Sequence, residues 1–277
     1  MKSMSYQSSV PQKILEYITN KQIVSINDLA EALELTPRSA SSYLSRLAQM
    51  GAIKSIGRGL YQVGKGESVV MKLSPELARI ANELQEAFPM AKFAIWSLQM
   101  LSDYSHYMIG KDLIFVETTK MLSASMRDML ASKGYRAVLK PGKRDFQEYT
   151  YYPERPIFIL ERKELYGLAM FEGNLIPTPD RIWADVFYFV TRKNLIFDSF
   201  ELGLIFSAMV DREGINFSRL LRYSERRGIF REILIFLYEL MKSNSRVGKR
   251  ITEHVLLGRR ETLNTITAMV EGARRND

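Results

Sequence analysis

Hydroxyl and guanidinium side chains recur at close spacing along residues 36–47, TPRSASSYLSRL. Hydroxyl groups can donate hydrogen bonds to phosphates or to base edges, and an arginine can contact guanine through two parallel hydrogen bonds. Serine is a poor helix former, so four serines in a helix here would indicate a purpose other than helix stability. The predicted DNA contacts of this segment are Thr36, Arg38, Ser39, Ser41, Ser42, Ser45 and Arg46.

The other side of the same segment is apolar. Ala40, Leu44 and Leu47 follow one another at helical spacing and form a stripe that we expect to be buried. Thr36 is predicted to cap the helix, and Pro37 suits the first helical position because its missing N–H costs no hydrogen bond there. The segment therefore predicts a helix with one side packed inward and the other side available to a DNA groove.

The flanking pattern supplies the elements that must position this helix. Two shorter helical segments precede it, and Ser25 is expected to cap the second. Two short strands follow it, Ala52–Ile56 and Leu60–Val63, joined by Gly57-Arg58-Gly59. Three helices followed by a glycine-turned hairpin are the plan of a winged helix-turn-helix, whose wing tip would present Arg58 to a phosphate or to the minor groove.

Some winged helices bind proteins instead of DNA, and a protein-interaction adaptor stays open as an alternative. Residues 1–66 carry eight Lys and Arg against four Asp and Glu, and the chain of 277 residues has a net charge of +8. A basic surplus favours a polyanionic partner. We therefore expect double-stranded promoter DNA as the partner, with a possible dimer on a palindromic site.

Composition excludes several kinds of site. The chain has no cysteine, which rules out disulfides, thiol nucleophiles and cysteine-based zinc sites. Its two histidines, His106 and His254, are far apart and lack ligand partners at motif spacing, so we expect no metal and no cofactor. Apolar runs such as residues 233–238 are too short to span a bilayer, and the N-terminus lacks the hydrophobic stretch of a signal peptide. We expect a cytoplasmic protein.

The pattern as a whole predicts an α+β protein, in which the winged helix is followed by a mixed α/β domain with a helical C-terminal part. Residues 1–66 would form the DNA-binding domain, 67–90 a linker and connecting helix, and 91–277 a partner-binding domain. Buried strands are expected at Phe93–Trp96, Leu113–Val116, Arg136–Leu139 and Ile157–Leu160, with helices near 75–88, 98–104 and 123–133. Further helices are expected over 180–192, 199–212, 216–227, 229–241 and about 249–273.

Several segments resemble the AbiEi-type antitoxins of bacterial abortive-infection systems, which are type IV toxin–antitoxin systems. Residues 51–61, GAIKSIGRGLY, are similar to the wing of those proteins. Residues 93–97, 177–185 and 218–228 are similar to motifs of related winged-helix proteins. The resemblance implies that the winged helix binds inverted repeats in its own promoter and represses the operon. It also implies that the second domain counteracts a nucleotidyltransferase-like toxin.

A catalytic second domain is the other alternative, because the strand, helix and strand over residues 93–117 loosely resemble the opening of a nucleotidyltransferase fold. Such enzymes need a Gly-Ser turn and two aspartates one residue apart to hold magnesium. Ser97 lacks the glycine, and Asp112 stands alone. We expect no catalytic residue, and we predict that Asp112 and Glu117 only flank a buried strand. The alternative would be a nucleic-acid-processing enzyme with a degenerate domain of this kind.

A second concentration of positive charge is predicted on the C-terminal helices, at Arg219, Arg222, Arg226 and Arg227. This patch could contact the DNA backbone, bind an acidic partner or be a solvated stripe. Residues 140–144, KPGKR, are interpreted as a solvated basic loop, and Trp183, Phe187 and Tyr188 as core.

Overall fold

The computed structural model describes residues 10–19, 21, 23–49, 52–57, 59–63, 73–105, 111–195, 197, 199–213 and 215–242. The chain forms two compact units that alternate along the sequence. Unit 1 consists of residues 1–69, 209–222 and 231–277, and unit 2 of residues 70–208 and 223–230. The domains predicted from the sequence are consecutive ranges of the chain, and their boundaries stay a prediction.

Unit 1 starts with three helices and a small sheet. In chain order these are α1 (Gln12–Thr19), β1 (Ile23–Ser25), α2 (Ile26–Ala32), α3 (Pro37–Gln49), β2 (Ile53–Gly57) and β3 (Leu60–Val63). The strands pair antiparallel in the order β1-β3-β2. The predicted helices and hairpin are therefore confirmed. Strand β1 was not expected, although its β-branched Ile23 and Val24 favour a strand.

Local hydrogen bonds explain where α2 and α3 begin. The Ser25 hydroxyl accepts a bond from the Asp28 amide at 2.9 Å, and the Thr36 hydroxyl accepts one from the Ser39 amide at 3.2 Å. Both predicted caps are confirmed. In the β2–β3 turn, Gly59 has φ of +74°, and a Cβ there would lie 3.3 Å from Ile26 Cδ1. Only glycine fits this position without strain.

Three later helices are α8 (Ser199–Glu213), α9 (Phe217–Arg227) and α10 (Phe230–Lys242), as predicted. One end of α8, one end of α9 and most of α10 belong to unit 1. The start of α9 packs closely on β2, because a Cβ added at Gly57 would lie 3.6 Å from Phe217 Cβ. The predicted helix over 249–273 lies outside the described residues.

Unit 2 is built on a four-stranded mixed sheet. Its strands are β4 (Ala94–Ser97), β5 (Ile114–Thr118), β6 (Ala137–Leu139) and β7 (Ile157–Glu161), in the order β4-β5-β7-β6. Strands β5 and β6 both pair parallel with β7, and β4 pairs antiparallel with β5. The predicted α/β character and all four predicted strands are confirmed.

Helices cover both faces of this sheet. On one face, α4 (Pro75–Ala87) and α5 (Lys120–Ser132) pack on Ile95, Ile114 and Val116. On the other face lie α6 (Lys143–Glu148) and α7 (Pro179–Lys193), which contribute Phe146 and Phe189. These rings stack with Trp96 and Phe115 of the strands, and Phe146 also contacts Phe158 edge to face. Burial on both faces accounts for the continuous apolar runs of β5 and β7.

Two elements of unit 2 were not expected from the sequence. Strands β8 (Leu168–Phe171) and β9 (Asn174–Pro177) form a hairpin whose two-residue turn, Glu172-Gly173, has positive φ at both positions. Helix α6 contradicts the interpretation of residues 140–144 as a loop, since Lys143 and Arg144 belong to its first turn. Among the described residues, no helix combines the length and apolar character needed to cross a membrane.

Removing the Leu44 side chain should destabilise the protein. Leu44 has no exposed surface, so Leu44→Ala should lower the free energy of unfolding by about 2–5 kcal/mol, measured by urea denaturation. Ser42→Ala, at an exposed position of the same helix, is the matched control and should change it by less than about 0.5 kcal/mol. Equal effects of the two substitutions would contradict the assigned orientation of α3.

Candidate functional site

Helix α3 separates its apolar and polar side chains as predicted. Ala40, Leu44 and Leu47 are at most 1% exposed and form part of the core of unit 1. Arg38, Ser42 and Arg46 are exposed at i, i+4 and i+8, so they follow one line along the helix. The predicted buried side of α3 is confirmed, and Arg38, Ser42 and Arg46 of its predicted free side are exposed.

The exposed line is long enough to follow a groove. Eight residues of helix rise by about 12 Å, which is close to the width of the major groove of B-DNA. The Arg46 guanidinium lies 5.9 Å from the centre of the Tyr43 ring, an aromatic contact that limits where this long side chain points. Tyr43 itself is half-buried and packs against the core of unit 1.

The other predicted DNA contacts flank this line. Thr36 is exposed, and Ser39, Ser41 and Ser45 are half-buried. The Thr36 and Ser39 hydroxyls lie 2.9 Å apart and hydrogen-bond each other at the start of the helix. Arg58, the predicted wing contact, lies outside the described residues. The DNA contacts of all these residues stay a prediction.

A second group of polar side chains lies in unit 2, at the carboxyl ends of two neighbouring parallel strands. Glu117 is the fourth residue of β5 and has no exposed surface. Arg162 follows directly after β7, and its backbone amide donates to Thr118 O at 2.8 Å. This backbone bond brings the two side chains to the same edge of the sheet.

Glu117 is the hydrogen-bond acceptor at the centre of this group. Its Oε2 accepts a bond of 2.7 Å from Arg162 Nε and a second bond from Arg181 Nη2. Its Oε1 accepts a bond of 2.9 Å from the Trp96 indole. The prediction that Glu117 only flanks a strand is wrong, because the residue lies within β5 and its side chain points into a cluster of charged groups. We call this the ionic cluster, and its members are Glu117, Arg162, Arg181, Asp185, Tyr223 and Arg227.

Asp185 of α7 is the second buried carboxylate. Arg162 Nη2 and Arg227 Nη2 lie 3.1 and 2.9 Å from its Oδ1, and the Tyr223 hydroxyl lies 2.8 Å from each oxygen. Burial raises the pKa of Asp185, but the guanidinium groups of Arg162, Arg227 and Arg181 together outweigh this effect and hold the pKa below its ordinary value. Burial and the Asp185 charge raise the pKa of Tyr223, which therefore stays a neutral donor.

The comparisons with known proteins bear on both regions. Residues 39–243, most of the chain, match the model of a family of unknown function, DUF6577. The chain belongs to the DUF6577 family. Residues 10–54 match a winged helix-turn-helix DNA-binding domain, which includes α1 to α3 and the start of β2. This DUF6577 protein is therefore a DNA-binding regulator. No curated protein matches the chain.

Asp112, the residue that raised the nucleotidyltransferase alternative, is engaged with the backbone in the DUF6577 protein. Its Oδ1 accepts 2.9 Å bonds from the amides of Gln99 and Leu113. Burial raises the pKa of Asp112 by more than these hydrogen bonds lower it, so the pKa lies above its ordinary value. Within the described ranges, no cluster of three or more His, Asp or Glu residues could hold a metal ion. His106 and His254 are not among the described residues.

The arginines of the predicted C-terminal patch differ in their surroundings. Arg222 is exposed and Arg219 is half-buried. Arg226 contacts Glu164 at 2.7 Å and lies over the Tyr166 ring. Arg227 departs from the predicted surface patch, because its guanidinium packs 3.8 Å from the Tyr188 ring centre and contacts buried Asp185. A DNA or protein partner for the patch stays a prediction.

Sequence reasoning missed the ionic cluster because its members come from four separate segments. Glu117, Arg162, Asp185 and Tyr223 lie on or next to β5, β7, α7 and α9, and no spacing rule connects them. One local signal existed: Arg181 and Asp185 are four residues apart in a helix that is apolar or aromatic at all other positions from 182 to 190. Trp183 and Phe187 are core, as predicted, whereas Tyr188 is only half-buried.

The cluster should make stability depend on acidity. The folded protein holds the pKa of Asp185 below 3.8, so the unfolded chain takes up the proton first as the pH falls. Asp185 therefore contributes stability at neutral pH that is lost as the pH falls below about 4. Asp185→Asn should lower the free energy of unfolding by about 3–5 kcal/mol at pH 7, and its deficit against the wild type should shrink in acid.

The measurement is urea denaturation of both proteins between pH 7 and pH 3. The matched control is Asp128→Asn, which removes an exposed carboxylate of α5. The free energy of unfolding of this variant should depend on pH as that of the wild type does. A constant deficit of Asp185→Asn across this range would contradict the assigned charge of Asp185.

Proposed function

We propose that this DUF6577 protein is a sequence-specific transcriptional regulator that reads its operator with the exposed line of α3. The observation that carries the proposal is the alignment of Arg38, Ser42 and Arg46 on the side of α3 opposite its buried stripe. Arginines at the two ends can each contact a guanine, and the small Ser42 between them allows the helix backbone to approach the groove.

The remaining predicted contacts have a supporting role in this proposal. Thr36 and Ser39 lie at the N-terminus of α3, where the helix dipole favours a phosphate. Ser41 and Ser45 flank the exposed line and can donate to backbone oxygens. Arg58 at the wing tip is proposed to contact a phosphate or the minor groove. Two copies would bind the two halves of a palindromic operator, and the protein would act in the cytoplasm, where the operator lies.

We further propose that the protein is the antitoxin of a type IV toxin–antitoxin pair. The support is the resemblance of residues 51–61 to the wing of AbiEi-type antitoxins. In this proposal, the winged helix represses the operon that encodes the protein, and the later part of the chain counteracts a nucleotidyltransferase-like toxin. Both roles concern defence against infection, and neither requires a cofactor.

No catalytic role is proposed for the chain. The support is the engagement of Asp112, whose Oδ1 accepts from the amides of Gln99 and Leu113 and so joins the residues that follow β4 to those that precede β5. Glu117 and Asp185 are paired with arginines inside unit 2, which suits a structural role better than acid–base chemistry. Metal-dependent nucleotide transfer that is lost in Asp112→Ala would overturn this part of the proposal.

Replacing either arginine of the exposed line should weaken operator binding. Arg38→Ala and Arg46→Ala should each lose about 1–3 kcal/mol of affinity for the promoter of the protein's own gene, measured by gel shift at fixed salt. Loss of a guanine contact should reduce binding to the promoter much more than binding to a scrambled duplex of the same length.

The matched control is Arg144→Ala. Arg144 is an exposed arginine of unit 2 whose ion pair among the described residues is with Glu148 on its own helix, and its removal changes the net charge equally. The affinity of Arg144→Ala for the promoter should stay within about twofold of that of the wild type. If Arg144→Ala weakens binding as much as Arg38→Ala, the effect is one of net charge and the assignment of α3 fails. A wild-type protein that does not bind the promoter favours the adaptor alternative.

The antitoxin proposal predicts that repression and toxin neutralisation can be separated. A nucleotidyltransferase-like gene should lie next to this one, and its expression alone should arrest bacterial growth. Co-expression of the wild type should restore growth, and so should Arg38→Ala with Arg46→Ala, although this double variant should fail to repress a promoter–reporter fusion. Growth arrest that the wild type does not relieve would contradict the antitoxin role.

A further inference from the structure

A cavity of about 300 Å³ opens in unit 2 beside the ionic cluster. Its lining comes from the carboxyl ends of β6 and β7, from α7 and from Arg227. In α/β sheets, ligands bind in the crevice beyond the carboxyl ends of parallel strands. The volume is at the lower end of the range for small-molecule sites, about 300–1,000 Å³.

Four cationic side chains line this cavity: Lys140, Arg162, Lys193 and Arg227. They come from three separate parts of unit 2, namely the ends of the two strands, the last turn of α7 and the last residue of α9. Glu161 is the acidic residue among the lining side chains, and it pairs with Lys140 at 3.0 Å. Cations converge on one small volume here instead of being spread over a surface.

The carboxylates around the cavity do not balance this charge. The cluster and the cavity lining together contain Lys140, Arg162, Arg181, Lys193 and Arg227 against Glu117, Glu161 and Asp185. Five cations therefore face three carboxylates in this part of the described structure, and two positive charges are left over. A phosphate monoester carries about two negative charges at neutral pH, which matches this surplus.

The cationic groups also retain hydrogen-bond donors. Lys193 Nζ makes one bond, of 3.3 Å, to the Pro141 carbonyl, and an ammonium group has three donors. Arg227 Nε is buried and has no hydrogen-bond acceptor within the described residues, whereas Nη2 of the same guanidinium lies 2.9 Å from Asp185 Oδ1. Unsatisfied buried donors are costly, and an anion in the cavity would supply acceptors for them.

Apolar side chains form the rest of the wall. Phe146, Leu160 and Phe189 line the cavity, and Tyr188 lies beneath the Arg227 guanidinium at 3.8 Å from its ring centre. The stacking on Tyr188 fixes the plane of this guanidinium. A ligand that fits this wall has an anionic group at the cations and an apolar or aromatic part beside the phenylalanines.

We propose that this cavity is a binding site for a small phosphorylated ligand of about the size of a nucleoside monophosphate, whose phosphate lies among Lys140, Lys193, Arg162 and Arg227. The site lies wholly within unit 2 and is separate from the DNA-reading residues of unit 1. It gives the regulator a place to bind an effector, and it rests on none of the assignments made for α3.

Isothermal titration calorimetry of the full chain tests the site with adenosine monophosphate as the probe. Inorganic phosphate and adenosine are the other two arms. The expected result is one site per chain, with adenosine monophosphate tighter than phosphate and adenosine not bound. Lys193→Gln and Lys140→Gln should each weaken the binding of adenosine monophosphate by roughly tenfold, because each removes a charge-assisted contact.

Lys143→Gln is the matched control. It removes an exposed lysine of the same basic segment that does not line the cavity, and it should leave the affinity within about twofold. Thermal unfolding followed by circular dichroism checks that all three variants fold like the wild type. Arg38→Ala should also bind the probe normally, because its side chain lies in unit 1.

The proposal would be overturned by no binding of adenosine monophosphate or phosphate at millimolar concentration, by equal binding of adenosine, or by equal weakening in Lys143→Gln and Lys193→Gln. A 5′-phosphorylated oligonucleotide that binds through Lys193 while the free nucleotide does not would also overturn it, in favour of a nucleic-acid end. These measurements contain no operator DNA, so their failure and a failure of operator binding are distinguishable.

Discussion

Two carboxylates without exposed surface, Glu117 and Asp185, lie inside unit 2, and three guanidinium groups neutralise them. A buried charge is tolerated only when it is paired and hydrogen-bonded, so each member requires the others to be in position. The pairs connect the ends of β5 and β7 to α7 and α9. This constraint fixes the edge of the sheet at which the cavity opens, and the third guanidinium supplies one of the two surplus positive charges at that edge.

In unit 1, the position of the proposed DNA contacts follows from one amphipathic helix, α3, which has apolar side chains on one side and polar side chains on the other. Burial of Ala40, Leu44 and Leu47 orients α3, and this orientation alone exposes Arg38, Ser42 and Arg46. Apolar packing of this stripe therefore sets the orientation of α3. The two units thus position their cations by different means, hydrophobic packing in unit 1 and pairing with carboxylates in unit 2.

These different means explain how much the sequence could predict. The two sides of α3, its Thr36 cap and the Ser25 cap depend on residues within one or two helical turns, so spacing along the chain was sufficient. The ionic cluster depends on contacts between residues 117, 162, 185 and 227, which only the tertiary fold brings together. Strand β1 and the β8–β9 hairpin are too short for their periodicity to be distinguished from that of a loop.

The close approach of Phe217 to Gly57 has a practical consequence for anyone who shortens this protein. The wing strand β2 is partly covered by a helix that follows it in sequence by more than half of the chain. A fragment that ends after the β2–β3 hairpin would lack this helix, so β2 would lose its apolar cover even if α1, α2 and α3 stayed folded. We therefore expect the winged helix to be less stable as a fragment than within the longer chain, and substitutions at the start of α9 should lower the stability of the wing from a distance in sequence.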